Sequence, residues 1–286
     1  MRRLLAAVII VLQVTAFLSI QHKAAGQEGR LEVHFIDVGQ GDSILIITPN
    51  GRTMLVDGGP PSAASKVASY LQQNGITTLD LVVATHPDID HIGGLVKVLK
   101  EFKVSRLVDS GKLYTTSTYF DYLEQIERHK IPVTIAKGEE DIRLDPNLSI
   151  HILNTQNAFK TNNQSSIALS LSYGQIDFLL MADVETTQEK KLLEQKKLDA
   201  EILKVAHHGS DTSTSFEFLR EVTPDTAILS YSINNDFGHP VNRVVDSLQL
   251  VGANVYSTAK AGDIVIASDG KSYRVDVAGG ERILTK

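Results

Sequence analysis

Residues His86-Pro87-Asp88-Ile89-Asp90-His91 place four potential metal ligands within six positions, and Gly93-Gly94 follow almost at once. The preceding segment, Leu79 to Ala84, is a short apolar run with β-branched residues, the pattern of a buried strand. Beyond the turn, Leu95, Val98, Leu99 and Phe102 recur at helical spacing. Imidazole and carboxylate crowded into one strand-to-helix turn suit a borderline or hard divalent cation. The plain alternative is an acidic surface turn with two incidental histidines. Further candidate ligands follow other apolar runs far away in the chain, which is how a metal cleft is assembled from strand ends.

Strand and helix patterns alternate on both sides of this loop. Residues 31–37 alternate like a half-buried strand, and 43–48 and 52–56 form a hairpin around Pro49-Asn50-Gly51 that leads to Asp57-Gly58-Gly59. Helical patterns cover 62–73, 118–129, 184–195, 215–221 and 241–250. Strand patterns cover 104–108, 132–136, 148–153, 167–171, 175–181, 201–206, 226–231, 253–256, 263–267 and 271–277. The alternation predicts an α/β layered fold, and nothing in it demands a second domain. His34 within a strand, His129 at a helix end and His151 on a strand face need no metal to explain them.

The loop H-x-D-x-D-H-x-G-G resembles the signature of the metallo-β-lactamase superfamily, whose commoner form has His in place of Asp88. The phrase FIDVGQGDSILI followed by LVDGG, the hairpin YGQIDFLLMAD and the segment KVAHHGS are similar to the soluble domain of ComEC-type DNA-uptake proteins and their secreted relatives. The resemblance runs from about residue 31 to 277. It implies a four-layer αββα sandwich. It also implies metal ligation by His86, Asp88, Asp90 and His91, by Asp183 as a bridge between two ions, and by one of His207 and His208, with His207 preferred. Asp57 is implied as an acid bracing the metal loop. Asp37 and Asp42 are candidates for a similar supporting role, with turn capping as the alternative. Where most members supply a further His, this chain has Asn163 and neighbouring serines, which leaves one ion short of a ligand. Ser210 is a candidate donor to substrate oxygens or a turn cap. His239, in a Gly-His-Pro turn, is a candidate donor of a hydrogen bond or proton to substrate, and Asp90 is expected to act in catalysis.

The 286 residues carry a formal charge of −6 and no cysteine, which removes thiolate ligands, a Cys nucleophile and disulfides. Residues 1–26 read as a secretory signal, with Arg2 and Arg3 before an apolar stretch from Leu4 to Ile20 and small residues at Ala24-Ala25-Gly26. An uncleaved anchor is the alternative, so the protein is expected outside the membrane, secreted or tethered, as one hydrolase domain over 27–286. Losing Arg2, Arg3 and Lys23 with the leader takes the charge to −9. Such a chain does not coat nucleic acid electrostatically.

The expectation is a secreted hydrolase using one or two divalent ions, Zn²⁺ or Mn²⁺, to cleave phosphodiesters of nucleic acid or the cell envelope. Alternatives are a lactone or β-lactam hydrolase and a non-catalytic binding module of the same fold.

Overall fold

The computed structural model describes residues 29–153, 161–195, 197–277 and 283–285. The expected signal at 1–26 lies outside them. Among the described residues no helix is long and apolar enough to cross a membrane.

Strands β1 (Leu31–Phe35), β2 (Ile44–Ile47) and β3 (Thr53–Val56) form an antiparallel meander. Helix α1 (Ala64–Gln73) then leads through β4 (Thr78–Leu79) to β5 (Leu81–Ala84), which lies parallel to β3. The loop over 85–88 runs into a single helical turn, α2 (Ile89–Ile92), and then α3 (Leu95–Glu101). Strands β6 (Lys103–Val104) and β7 (Leu107–Asp109), helix α4 (Ser117–His129) and β8 (Val133–Ile135) complete this half. The second half repeats the plan. An antiparallel meander of β9 (Ser149–Ile152), β10 (Leu169–Tyr173) and β11 (Ile176–Leu180) precedes helix α5 (Thr186–Gln195), β12 (Ile202–Lys204), α6 (Phe216–Val222), β13 (Thr226–Leu229), α7 (Asn242–Leu250) and β14 (Asn254–Ser257). A short α8 (Thr258–Ala261) is followed by β15 (Ile264–Ser268), β16 (Tyr273–Val277) and β17 (Ile283–Thr285), which join the first sheet beside β1.

The first sheet has nine strands in the order β17-β16-β15-β1-β2-β3-β5-β7-β8, and the second has six, β14-β13-β12-β11-β10-β9. Each contains a run of four parallel strands, β3-β5-β7-β8 and β11-β12-β13-β14. Period-two alternation decides the layers. Val33, Phe35, Leu171, Phe178 and Leu180 pack between the sheets. Leu45, Leu55 and Val82 face outward onto Val67 and Leu71 of α1, Leu95 and Leu99 of α3, and Tyr122 of α4. On the other side Leu179, Leu203 and Ala227 meet Leu192, Phe218, Leu219, Val244 and Leu248 from α5, α6 and α7. The result is the four-layer αββα sandwich.

Most element ends shift by one or two residues from the sequence expectation, and three segments depart in ways that bear on the fold or the site. The run from Leu79 to Ala84 breaks at Asp80, whose carboxylate leaves the ladder to accept from the Thr53 N–H and the Arg52 guanidinium. The expected strand 104–108 is two strands: β6 pairs with β4 in a small separate sheet, while β7 enters the large one. The expected strand 201–206 stops at Lys204, and Ala206–Gly209 forms a tight turn with His207 and His208 in the left-handed region. Hydrophobic pattern cannot register that turn, because Val205 and Ala206 remain buried on either side of its start.

Candidate metal centre

The parallel runs of both sheets deliver their C-terminal ends to one cleft, the usual place for a site in a parallel sheet. Asp57 leaves β3 in the left-handed region, at φ 57°. Its carboxylate accepts from the Thr85 N–H at 2.9 Å, the Thr85 hydroxyl at 2.6 Å and His91 Nδ1 at 2.8 Å. Both oxygens are thereby spent on holding the metal loop. Glycine makes the approach possible: a Cβ on Gly94 would lie 1.9 Å from the Gly58 carbonyl oxygen. The Gly58 N–H donates to the His91 carbonyl at 2.7 Å, and the Gly94 N–H to the Gly59 carbonyl at 2.8 Å.

Hydrogen bonding behind the imidazoles settles which nitrogen each presents to the cleft. Thr85 has one hydroxyl proton, and Asp57 takes it. His86 Nδ1, 3.0 Å from that hydroxyl oxygen, must therefore donate, which leaves a lone pair on Nε2. His91 Nδ1 donates to Asp57, and His208 Nδ1 donates to the Ser230 carbonyl at 2.8 Å. The Nε2 atoms of His86, His91 and His208 are all buried without a well-formed hydrogen bond, and so is Asp183 Oδ1. An orphaned buried polar atom costs roughly 1–3 kcal/mol. Four converging on one cleft fit a cation that would satisfy them together.

Asp183 stands between two groups of donors. Its Oδ1 is 3.3 Å from His91 Nε2 and 3.6 Å from His208 Nε2, and His208 Nε2 is also 3.5 Å from Asp90 Oδ2. Its Oδ2 is 3.7 Å from His86 Nε2 and 3.6 Å from His207 Nε2, and His86 Nε2 is 3.4 Å from Asp88 Oδ2. His91, Asp90 and His208 present ligand atoms within 4.8 Å of one another, as do His86, His91 and Asp183. Of the adjacent pair it is therefore His208 that joins Asp90 and His91, against the preference for His207. His207 turns its Nε2 to the opposite oxygen, 3.5 Å from the amide of Asn163, the residue expected to stand where the resemblance implies a further His.

Such a split between neighbours requires unusual backbone. His207 and His208 both have positive φ, 48° and 55°, as does Ala182 at 45° just before Asp183. Each such conformation in a non-glycine residue costs about 1–3 kcal/mol and persists only where surrounding contacts impose it. Here the His207 N–H donates to the Ala182 carbonyl at 2.8 Å, tying the two strained turns together.

The carboxylates and imidazoles set one another's charge. Burial opposes ionisation of Asp183, but His91 and His208 outweigh it and hold its carboxyl well below the ordinary range. Asp90 falls to about 2 despite burial, through the close approach of His208 Nε2 and the charge of His91. Asp88 is lowered against burial by His86. Burial works against the His91 and His208 cations, yet Asp183 raises both pKa values, with Asp57 aiding His91 and Asp90 aiding His208. Metal ligation needs the neutral imidazole, so a cation entering here displaces protons. His207 and His239 are lowered, chiefly by burial.

The remaining candidates divide. Asp42 lies directly behind the ligands, 3.5 Å from His208 Nδ1. Asp37 takes the other role: it accepts the Gly39 N–H and pairs with Lys66 at the surface. Ser210 is buried and caps its own turn, its hydroxyl 3.2 Å from that of Thr212, which in turn contacts His207 Nδ1. His239 is brought in from after β13, its ring 5.6 Å from His207 and 6.4 Å from His208. Two groups escaped the sequence reading. Lys204, 1% exposed, donates to Asp42 at 2.8 Å and to the Val205 carbonyl at 3.1 Å. Asn162 donates to Asp88 at 2.5 Å. A lysine inside an otherwise apolar strand was a usable signal for the first, but Asn162 carried none.

The sequence profile of the Metallo-beta-lactamase superfamily matches residues 36–232. The chain is 30% identical over 267 residues to ComE operon protein 3 of Bacillus subtilis, covering 87% of this chain and 34% of that one. It is 30% identical over 239 residues to Recombination protein 2 of Haemophilus influenzae, covering 82% and 28%. The chain thus spans about a third of the length of these relatives. Among solved structures it resembles the metallo-β-lactamase fold protein YhfI of Bacillus subtilis, with a TM-score of 0.57 at 14% identity over 84% of this chain and all of that one.

Proposed function

Since the chain belongs to the metallo-β-lactamase superfamily, whose members are mostly metal-dependent hydrolases, we propose that it is a phosphodiesterase acting on nucleic acid or cell-envelope phosphodiesters. The observation that carries this reading is Asp183, one buried carboxylate with imidazole Nε2 atoms before each of its oxygens. That donor set suits one or two divalent ions, and the balance of carboxylate and imidazole suits Zn²⁺ or Mn²⁺. A bound ion pair supplies Lewis acidity and a water acidic enough to attack near neutral pH. The chain's own residues do the rest. Asp57 and the Ser230 carbonyl hold the His91 and His208 tautomers, and the Lys204–Asp42 pair supports His208 from behind. His239, its pKa lowered chiefly by burial, has its ring 5.6 Å from that of His207 and would offer a hydrogen bond or proton to a substrate oxygen. Its backbone is clamped by Asn235, which accepts the His239 N–H at 3.0 Å and donates to the His239 carbonyl at 2.7 Å. One relative's name, recombination protein, favours the nucleic-acid branch.

The reading places the enzyme outside the membrane, secreted or tethered, on the strength of Arg2-Arg3 and the apolar run behind them. The test is turnover. Protein loaded with Mn²⁺ or Zn²⁺ is expected to hydrolyse bis-(p-nitrophenyl) phosphate and to stop on chelation. Cephalosporin turnover without phosphodiester turnover would replace the reading with lactam hydrolysis, and full activity in chelated protein would overturn it.

A further inference from the structure

Beside the metal cleft lies a large apolar side chain that the chemistry above does not use. Phe237 is 68% exposed, two residues before His239. Its ring lies nearly parallel to that of His239, with centroids 5.6 Å apart and planes at 23°. The His239 ring is in turn 6.4 Å from His208 at 29°. Three rings thus form a near-parallel series from solvent to the ligand cluster, with Phe237 outermost. The loop that carries Phe237 is held in place. Asn235 Oδ1 accepts the N–H groups of both Phe237, at 3.1 Å, and His239, at 3.0 Å. Asn235 Nδ2 donates to the Ser232 and His239 carbonyls, both at 2.7 Å. One side chain therefore fixes the turn at four points and presents the phenyl ring to water at little further entropic cost on binding. Ile89, between ligands Asp88 and Asp90, is also half exposed and adds an apolar surface at the metal loop.

We propose that Phe237 is a stacking platform for a nucleobase joined to the phosphodiester held in the cleft. The proposal rests on the phosphodiesterase reading and narrows its substrate to nucleic acid or nucleotides, away from base-free envelope esters. A phenyl ring parallel to its neighbour and open to solvent matches a planar heterocycle, since aromatic pairs favour offset stacking and every base has a π-face. Charge points the same way. A chain of net charge −6 has no general attraction for a polyanion, so stacking would carry a larger share of its grip, with or without metal. Stacking of this kind is tolerant of base identity.

The experiment uses the full chain and a single-stranded decamer containing 2-aminopurine, whose fluorescence is quenched when it stacks. Metal-free wild type is expected to quench the probe, and Phe237→Ala to weaken its apparent affinity by about tenfold, within the range measured for loss of one stacked base. Phe237→Trp should restore quenching, which a merely structural role would not predict. With metal bound, the preference in kcat/KM for an ordinary over an abasic oligonucleotide should drop by a similar factor in Phe237→Ala and return in Phe237→Trp. Equal quenching and equal preference in wild type and Phe237→Ala would overturn the proposal while phosphodiester turnover stood. Phe237-dependent quenching by a protein that hydrolyses no phosphodiester would instead overturn the phosphodiesterase reading and uphold the platform.

Discussion

The two sides of Asp183 use similar residue types but are held differently. On the Oδ1 side, His91 rests on the buried Asp57 carboxylate and His208 on the Ser230 carbonyl, with the buried Lys204–Asp42 pair beneath. On the Oδ2 side, His86 is equally well anchored, but the His207 side chain is 19% exposed and its rear nitrogen, Nδ1, meets the Thr212 hydroxyl at 3.2 Å. Asp88 there has one oxygen engaged by the Asn162 amide. A ligand whose rear hydrogen bond is buried and made in advance needs little reorganisation to bind, whereas a mobile one must be ordered by the ion. The contrast predicts that two ions sharing Asp183 would differ in affinity, with the Oδ1 side expected to be the tighter.

The largest effect should come from the bridge. Asp183→Asn removes the one anion facing both sides, so metal analysis should show loss at both positions. Turnover should fall by more than the roughly 10–100-fold that loss of a group behind the ligands costs. Retention of two tight ions in that variant would end the comparison, because the two sides would then not depend on a shared carboxylate. Next, His208→Ala and His207→Ala should be unequal. Calorimetric titration should show His208→Ala abolishing the tight event and His207→Ala weakening only the loose one. Equal losses would mean that the buried anchors confer no advantage.

A smaller effect is expected from Asp88→His, which exchanges a hard oxygen ligand for a nitrogen on the loose side. Zn²⁺ should tighten there and stimulation by Mn²⁺ should decline, with the Oδ1 side unchanged by titration. The smallest concerns a buried acid one strand away from the loop that carries His86. Asp109, at the end of β7, is buried and accepts from the Tyr122 hydroxyl and the Gly111 N–H, both at 2.7 Å; burial nonetheless raises its pKa. An acid that holds its proton more tightly when folded stabilises the fold fully below the ordinary carboxylate value, and that contribution is lost as pH rises through the raised value. Urea unfolding across this window should show wild type losing stability relative to Asp109→Asn as pH rises. A constant difference would mean that the Asp109 proton is not linked to folding.

Much of the architecture was legible because period-two strands and period-3.6 helices announce themselves locally, and the metal loop is a contiguous string of ligands. Asp183 could be read from the resemblance of YGQIDFLLMAD, an apolar run leading through Ala182 to an acid, although the run alone fits a helix cap equally. The breaks at Asp80 and between Val104 and Leu107 were not legible. They arise from side-chain bonds and sheet membership that apolar pattern does not encode. Asn162 was invisible for a similar reason: its partner Asp88 lies 74 positions away.

The sequence alone determined which donors this protein owns, because ligand identity is a property of residue type and strand ends are visible as the ends of apolar runs. Only the tertiary structure decided which donor faces which oxygen of Asp183. An imidazole presents the nitrogen opposite its hydrogen-bonded one, and the acceptors that choose arrive from elsewhere in the fold, Asp57 from the end of β3 and the Ser230 carbonyl from the end of β13. For His207 and His208 the choice depended further on two consecutive left-handed residues. Neighbours in sequence were thereby turned to opposite sides of one carboxylate.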